Sequence, residues 1–170
     1  MELWGKKIDK RIEIVLLKFF VKMNIALIPL YLILYFDIGF FYFERITTEI
    51  SGAILRWFGV LAVVDGVKIT VPVENGSFAG FIDRACTGWR SMMLFLGLVI
   101  ATPIKKKLVS LFFLPLIYVI NILRIVVVFL FVHAFGPLHF ELVHSILWSW
   151  SMVMVVILLW ITWIKTFKEK

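Results

Sequence analysis

Between Lys107 and His133 the chain runs for 25 residues with a single charged side chain, Arg124. An α-helix rises 1.5 Å per residue, so this stretch reaches about 37 Å, more than the roughly 30 Å hydrocarbon core of a bilayer. A helix apolar on all sides must lie in a large protein core or in lipid. The whole chain has 170 residues, 62% of them hydrophobic and 17% charged, with a mean hydropathy of +1.02. Soluble domains average about 45–50% apolar and about 25% charged residues. A domain this small cannot hide such a surplus from water. The same numbers exclude disorder, and one cysteine excludes a disulfide scaffold. The expectation is one small, all-α polytopic membrane domain.

Four apolar segments can span. The first runs from Met23 to Phe36 and extends to Phe43, giving span 1 as 23–43; the others are 87–104, 108–132 and 144–164. Each of the last three is bounded by charge or a Gly/Pro break: Lys105-Lys106-Lys107, Gly136-Pro137, Lys165. No small-x-small cleavage site follows the basic N-terminus, so span 1 reads as an uncleaved anchor. The apolar part of 44–64 is short and contains Arg56, which fits an interfacial helix better than a span.

Charge sets the orientation. With the N-terminus inside, the cytoplasmic pieces 1–22, 105–107 and 165–170 carry twelve basic and four acidic residues. The outer pieces, 37–90 and 134–143, carry five basic and seven acidic residues. Making 44–64 a span would put the lysine triplet outside, against the positive-inside rule. Both termini are therefore expected in the cytoplasm of a multi-pass plasma-membrane protein. The net charge of +7 becomes an orientation signal, and no nucleic-acid partner is expected.

The outer segment 66–83 alternates apolar and other residues through Val67–Glu74, then reaches Asn75-Gly76. That pattern predicts a small β-hairpin, with Pro72 confining its first strand to an edge. Asn75-Gly76-Ser77 also fits a glycosylation acceptor, though the turn alone accounts for it.

Polar residues at span ends carry the chemistry. Cys86 lies 19 residues before Lys105, about 28 Å along a helix. Arg124 lies 17 residues after Lys107, about 25 Å. His144 lies 21 residues before Lys165, about 31 Å. Three heights counted from three different spans thus converge near the outer face. A thiolate is a nucleophile, favoured near a helix start. A histidine can move its proton, and an arginine keeps its charge to face a thiolate or oxyanion. Thr87 and Gly88 allow close backbone approach, Asn121 stands one turn before Arg124 and is placed to hold it, and Arg90 adds a second positive group one turn after Cys86 on the same face. Asp83 and Arg84 read as interfacial. Together these residues describe a thiol acyl-transfer site at the outer face.

The same residues resemble the exosortase/archaeosortase family. Ala85-Cys86-Thr87-Gly88 matches its A-C-[ST]-G signature, Asn121-Ile122-Leu123-Arg124 its N-x-x-R signature, and His144 its third catalytic position. The resemblance spans about residues 66–165. It implies a membrane-embedded cysteine transpeptidase that uses no metal or other cofactor. Its partners would be secreted proteins with a C-terminal sorting tail, cut near a short motif and passed to a lipid headgroup amine. Cys86 would be the nucleophile, Arg124 the thiolate or oxyanion stabiliser and His144 the acid/base. The chain departs from many bacterial members, which carry about eight spans, and from archaeal members with arginine at the third position. It looks like a short archaeal-type core. The competing reading is a non-enzymatic membrane adaptor in which Arg124 pairs a partner helix.

Overall fold

The computed structural model describes residues 2–36, 38–74, 76–140 and 150–167; Asn75 and His144 lie outside them. The described chain is mostly helical, with one small sheet. Helix α1 (Glu2–Ala26) and α2 (Ile28–Tyr35) form a bent pair, angled by 43°. Pro29 at the start of α2 has no N–H to continue the ladder, which accounts for the break. The expected span over 23–43 therefore takes in the last turn of α1, all of α2 and the first residues of α3 (Phe41–Trp57). Helix α3 ends at Trp57, short of the expected boundary at 64, because Gly59 turns the chain with φ +82.

The sheet has three antiparallel strands in the order β1-β2-β3: Val63–Asp65, Lys68–Val73 and Gly76–Phe81. The hairpin was expected, but β1 was not, and it moves β2 from an edge to the centre. Pro72 is tolerated there because β1 stops opposite Thr70. The position that would need the proline N–H has no partner strand.

A 3-10 turn (Arg84–Thr87) leads into α4 (Trp89–Ala101), and a second one (Lys107–Phe112) into α5 (Phe113–Phe135). After a short turn at Pro137–His139 the last described helix is α6 (Met152–Phe167). Lys107–Phe135 is the one unbroken described helix long and apolar enough to cross a bilayer; α4 and α6 are shorter apolar helices.

Helix α5 organises the rest. One side, Ile117, Asn121, Ile125, Val128 and Val132, is buried. The other, Leu116, Val119, Leu123 and Val127, is exposed although apolar, as a lipid-facing stripe should be. The buried side joins two clusters. Leu55 of α3, Ile69 and Val71 of β2, and Ile125 and Phe129 meet at one end. Phe95, Ile117, Val156 and Trp163 meet at the other.

Lipid tails are as apolar as leucine, so membrane helices gain from close approach and from polar contacts instead. Both devices are present. Thr47 and Tyr118 hydroxyls pair at 3.1 Å between α3 and α5, beside the stacked Phe43 and Tyr118 rings. Trp160 Nε1 donates to Thr102 Oγ1 at 3.0 Å. His133 Nδ1 donates to the Pro72 carbonyl at 2.6 Å, fixing the end of α5 to β2. Gly97 admits Leu27: a Cβ there would lie 2.9 Å from the leucine Cδ2. Helix propensity favours replacing this glycine, so a loss would report the contact. Gly97→Val is expected to cost about 1–3 kcal/mol, read as a lower thermal midpoint in detergent micelles.

Candidate functional site

The site is built on the turn between the sheet and α4. Ile82 is tied to the sheet through its N–H, which donates to the Val67 carbonyl at 2.8 Å. Asp83 then caps the 3-10 turn: its carboxylate Oδ1 accepts from the Cys86 N–H at 3.0 Å. A carboxylate just before a helical turn, accepting from an N–H three residues on, is an N-cap pattern. The sequence carried that signal, although Asp83 was expected only to mark the interface. Thr87 Oγ1 donates to the Arg84 carbonyl at 2.8 Å, and Arg84 Nη1 donates to the Ile38 carbonyl at 2.8 Å. The turn is thus closed on itself and anchored to the segment before α3.

Gly88 ends the turn with φ +79, a left-handed conformation that suits glycine. Cys86 therefore does not open α4 as expected; it sits in the preceding turn, and Gly88 separates it from the helix. Gly88 also makes room for α5. A Cβ there would lie 2.8 Å from Asn121 Cγ.

Asn121 is fully buried, and its Nδ2 donates to the Cys86 carbonyl at 2.7 Å. It was expected to hold Arg124; instead it clamps the cysteine turn. Its Oδ1 has no hydrogen-bond partner among the described residues. One helical turn further along α5, Arg124 is half-buried. Cys86, 7% exposed, and Arg124 line one cavity of about 70 Å³, walled by Gly80, Ile82, Ile125, Phe129 and Phe140 among others. The Ala-Cys-Thr-Gly and Asn-x-x-Arg motifs therefore form a single interlocked unit.

Arg90 is exposed and does not line that cavity. It lines an adjoining recess with Arg124, Ser91 and Met152. The expected placement one turn after Cys86 on a shared helix face does not hold, because Cys86 is not on α4. His144 lies outside the described residues. Among those described, no three of the His, Cys, Asp and Glu side chains converge as a metal-ligand set.

Burial, and then the Asp83 carboxylate, push the Cys86 thiol up to about 12; the Arg124 guanidinium pulls weakly the other way. The resting thiol is therefore neutral at physiological pH. Below that value the thiolate fraction rises about tenfold per pH unit. Labelling of Cys86 by iodoacetamide should be slow at pH 7 and climb with that slope through pH 9. Asp83→Asn keeps an oxygen to cap the turn but removes the charge. It should lower the thiol's pKa and speed labelling at every pH below 9 by roughly an order of magnitude. Equal rates for the two proteins would refute this account of the thiol.

The site lies within a larger match. Residues 13–162 fit the family model described as transmembrane exosortase. No curated protein and no solved structure matches the chain.

Proposed function

The chain belongs to the transmembrane exosortase family, and we propose that it is a membrane-embedded cysteine peptidase and transpeptidase acting on the C-terminal sorting tails of secreted proteins. The observation that carries this reading is the shared cavity of Cys86 and Arg124. The two residues come from motifs on different elements, held in register by the Asn121 bond to the Cys86 carbonyl. In this reading the chain crosses the plasma membrane four times, with both termini in the cytoplasm and the cavity near the outer face.

The substrate tail helix lies in the bilayer beside α4, α5 and α6, which brings its motif to the cavity. Cys86 Sγ attacks the scissile carbonyl carbon while His144 takes the thiol proton. A thiol that rests neutral needs such a base at the moment of attack. The carbonyl oxygen gains negative charge opposite the Arg124 guanidinium, inside an apolar wall where the attraction is little screened. Collapse of the tetrahedral intermediate breaks the C–N bond. His144 returns the proton to the leaving nitrogen, and a thioester on Cys86 remains. A lipid headgroup amine then attacks the thioester carbonyl, which forms an amide and releases the sulfur; water in its place gives a free acid. Asn121, Thr87 and Gly88 shape the cysteine turn, and Arg90 serves the adjoining recess.

The test is co-expression with a secreted reporter that ends in a motif, an apolar helix and a basic end. The native chain should shorten the reporter. Cys86→Ala should abolish shortening, and Arg124→Lys should slow it roughly 100-fold or more, since lysine cannot present the same planar fork. Full processing by both Cys86→Ala and Cys86→Ser would sink the enzymatic reading. It would leave the adaptor reading, in which only Arg124 matters.

A further inference from the structure

Strand β3 is an edge strand, with β2 on one side and no strand on the other among the described residues. Natural edges are blunted by lysine, proline or short length. The opposite edge, β1, is three residues long and ends in Asp65. β3 has six residues, Gly-Ser-Phe-Ala-Gly-Phe, and none of those devices.

The direction of its main-chain groups follows from the register. Hydrogen-bonded and non-bonded pairs alternate along an antiparallel ladder. Ile82 N–H donates to the Val67 carbonyl, so residues 78, 80 and 82 are the ones that bond to β2. Pro72, which has no N–H, sits opposite Ser77, as a non-bonded pair requires. The N–H and C=O groups of Ser77, Ala79 and Phe81 therefore point away from β2, toward the open edge. No main-chain hydrogen bond from this edge occurs among the described residues.

This edge runs directly into the cavity. Gly80, Phe81 and Ile82 line it together with Cys86 and Arg124. The sheet packs close to α5 there: a Cβ on Gly80 would lie 2.7 Å from the Phe129 ring. A row of backbone groups without partners among the described residues, leading to the proposed nucleophile, is complementary to an extended peptide, whose own backbone supplies the matching donors and acceptors.

We propose that β3 is the docking edge for the extended segment that precedes the substrate's tail helix, which adds as a fourth strand and delivers its scissile carbonyl to Cys86. Main-chain bonds then give register without sequence demand. Selectivity falls to the side chains that reach the cavity wall. The inference rests on the proposed activity for the identity of the occupant, but not for the docking mode.

Ala79→Pro tests it. The substitution removes one outward N–H and no bond to β2, while Ala79→Val keeps the N–H. The full chain in its membrane should show shortening of the reporter reduced roughly tenfold or more by the proline and changed little by the valine. Capture is read separately in the Cys86→Ala background, by pull-down of the intact reporter. The proline should weaken capture by a similar factor. Amide hydrogen exchange at Ala79 and Phe81 in the unaltered edge should slow when the reporter is bound. Capture by the proline variant equal to the valine variant, or unchanged exchange at both amides, overturns the docking edge. Proline-sensitive capture together with processing that ignores Cys86→Ala upholds the edge and overturns the chemistry.

Discussion

One buried hydrogen bond ties the cysteine turn to α5. Asn121 Nδ2 reaches the Cys86 carbonyl at 2.7 Å across 35 residues of sequence. A backbone carbonyl in a turn beside a membrane helix has few sources of a donor, and leaving it unpaired would cost several kcal/mol. The asparagine supplies that donor from the apolar centre of α5. In the same step it fixes the height of the cysteine turn relative to α5. Arg124, one turn along, is thereby placed at the cysteine cavity. Gly88 is the counterpart on the other side, since only a residue without Cβ leaves space for the Asn121 side chain. The two motifs are thus steric and polar complements of each other.

The electrostatics of the site pull in opposite directions. Desolvation and Asp83 keep the thiol protonated, while Arg124 favours the thiolate from across the cavity. Desolvation is the largest influence, so the neutral thiol wins at rest. A neutral thiol is inert toward stray electrophiles. In the proposed mechanism its charge appears only as it attacks, when the same apolar wall strengthens the pull of the guanidinium on the developing oxyanion. The low dielectric that suppresses the resting nucleophile is thus the condition for stabilising the charge that follows.

Much of this was legible in the sequence, for identifiable reasons. The apolar length of 108–132 and the polar residues inside it stand out because ionisable groups are rare in such stretches. The convergence of Cys86 with Arg124 could be estimated because helical rise converts residue count into height. What the count misses is local conformation. Cys86 was expected to start a helix, yet Gly88 in a left-handed conformation places it one turn outside. That one displacement also removes Arg90 from the cysteine cavity. The partner of Asn121 was misjudged because proximity in sequence favoured Arg124, whereas the cysteine turn is distant in sequence and adjacent in space. Strand β1 left little trace, being three residues long within an apolar run. Pro72 was read as confining its strand to an edge, and that inference fails only because β1 stops opposite Thr70, short of the proline.

The sheet is the element that a membrane helix bundle does not obviously need. Helices satisfy their own backbone groups, and for that reason they cannot offer them to a substrate. A catalytic cysteine on a bundle would have side chains with which to recognise a peptide, but no main-chain ladder to set its register. The three strands supply such a ladder against the C-terminal half of α5, with Phe129 packed beneath Gly80 and His133 bonded to Pro72 to hold the sheet there. Helix α5 therefore carries two duties on two faces. Its apolar stripe is exposed, and its buried side supports both the cysteine turn and β3. Because the bond to the turn and the contact with the strand lie on the same rigid helix, the cysteine and β3 cannot shift relative to each other without disturbing α5. In the proposed mechanism, the geometry of attack is therefore set by α5.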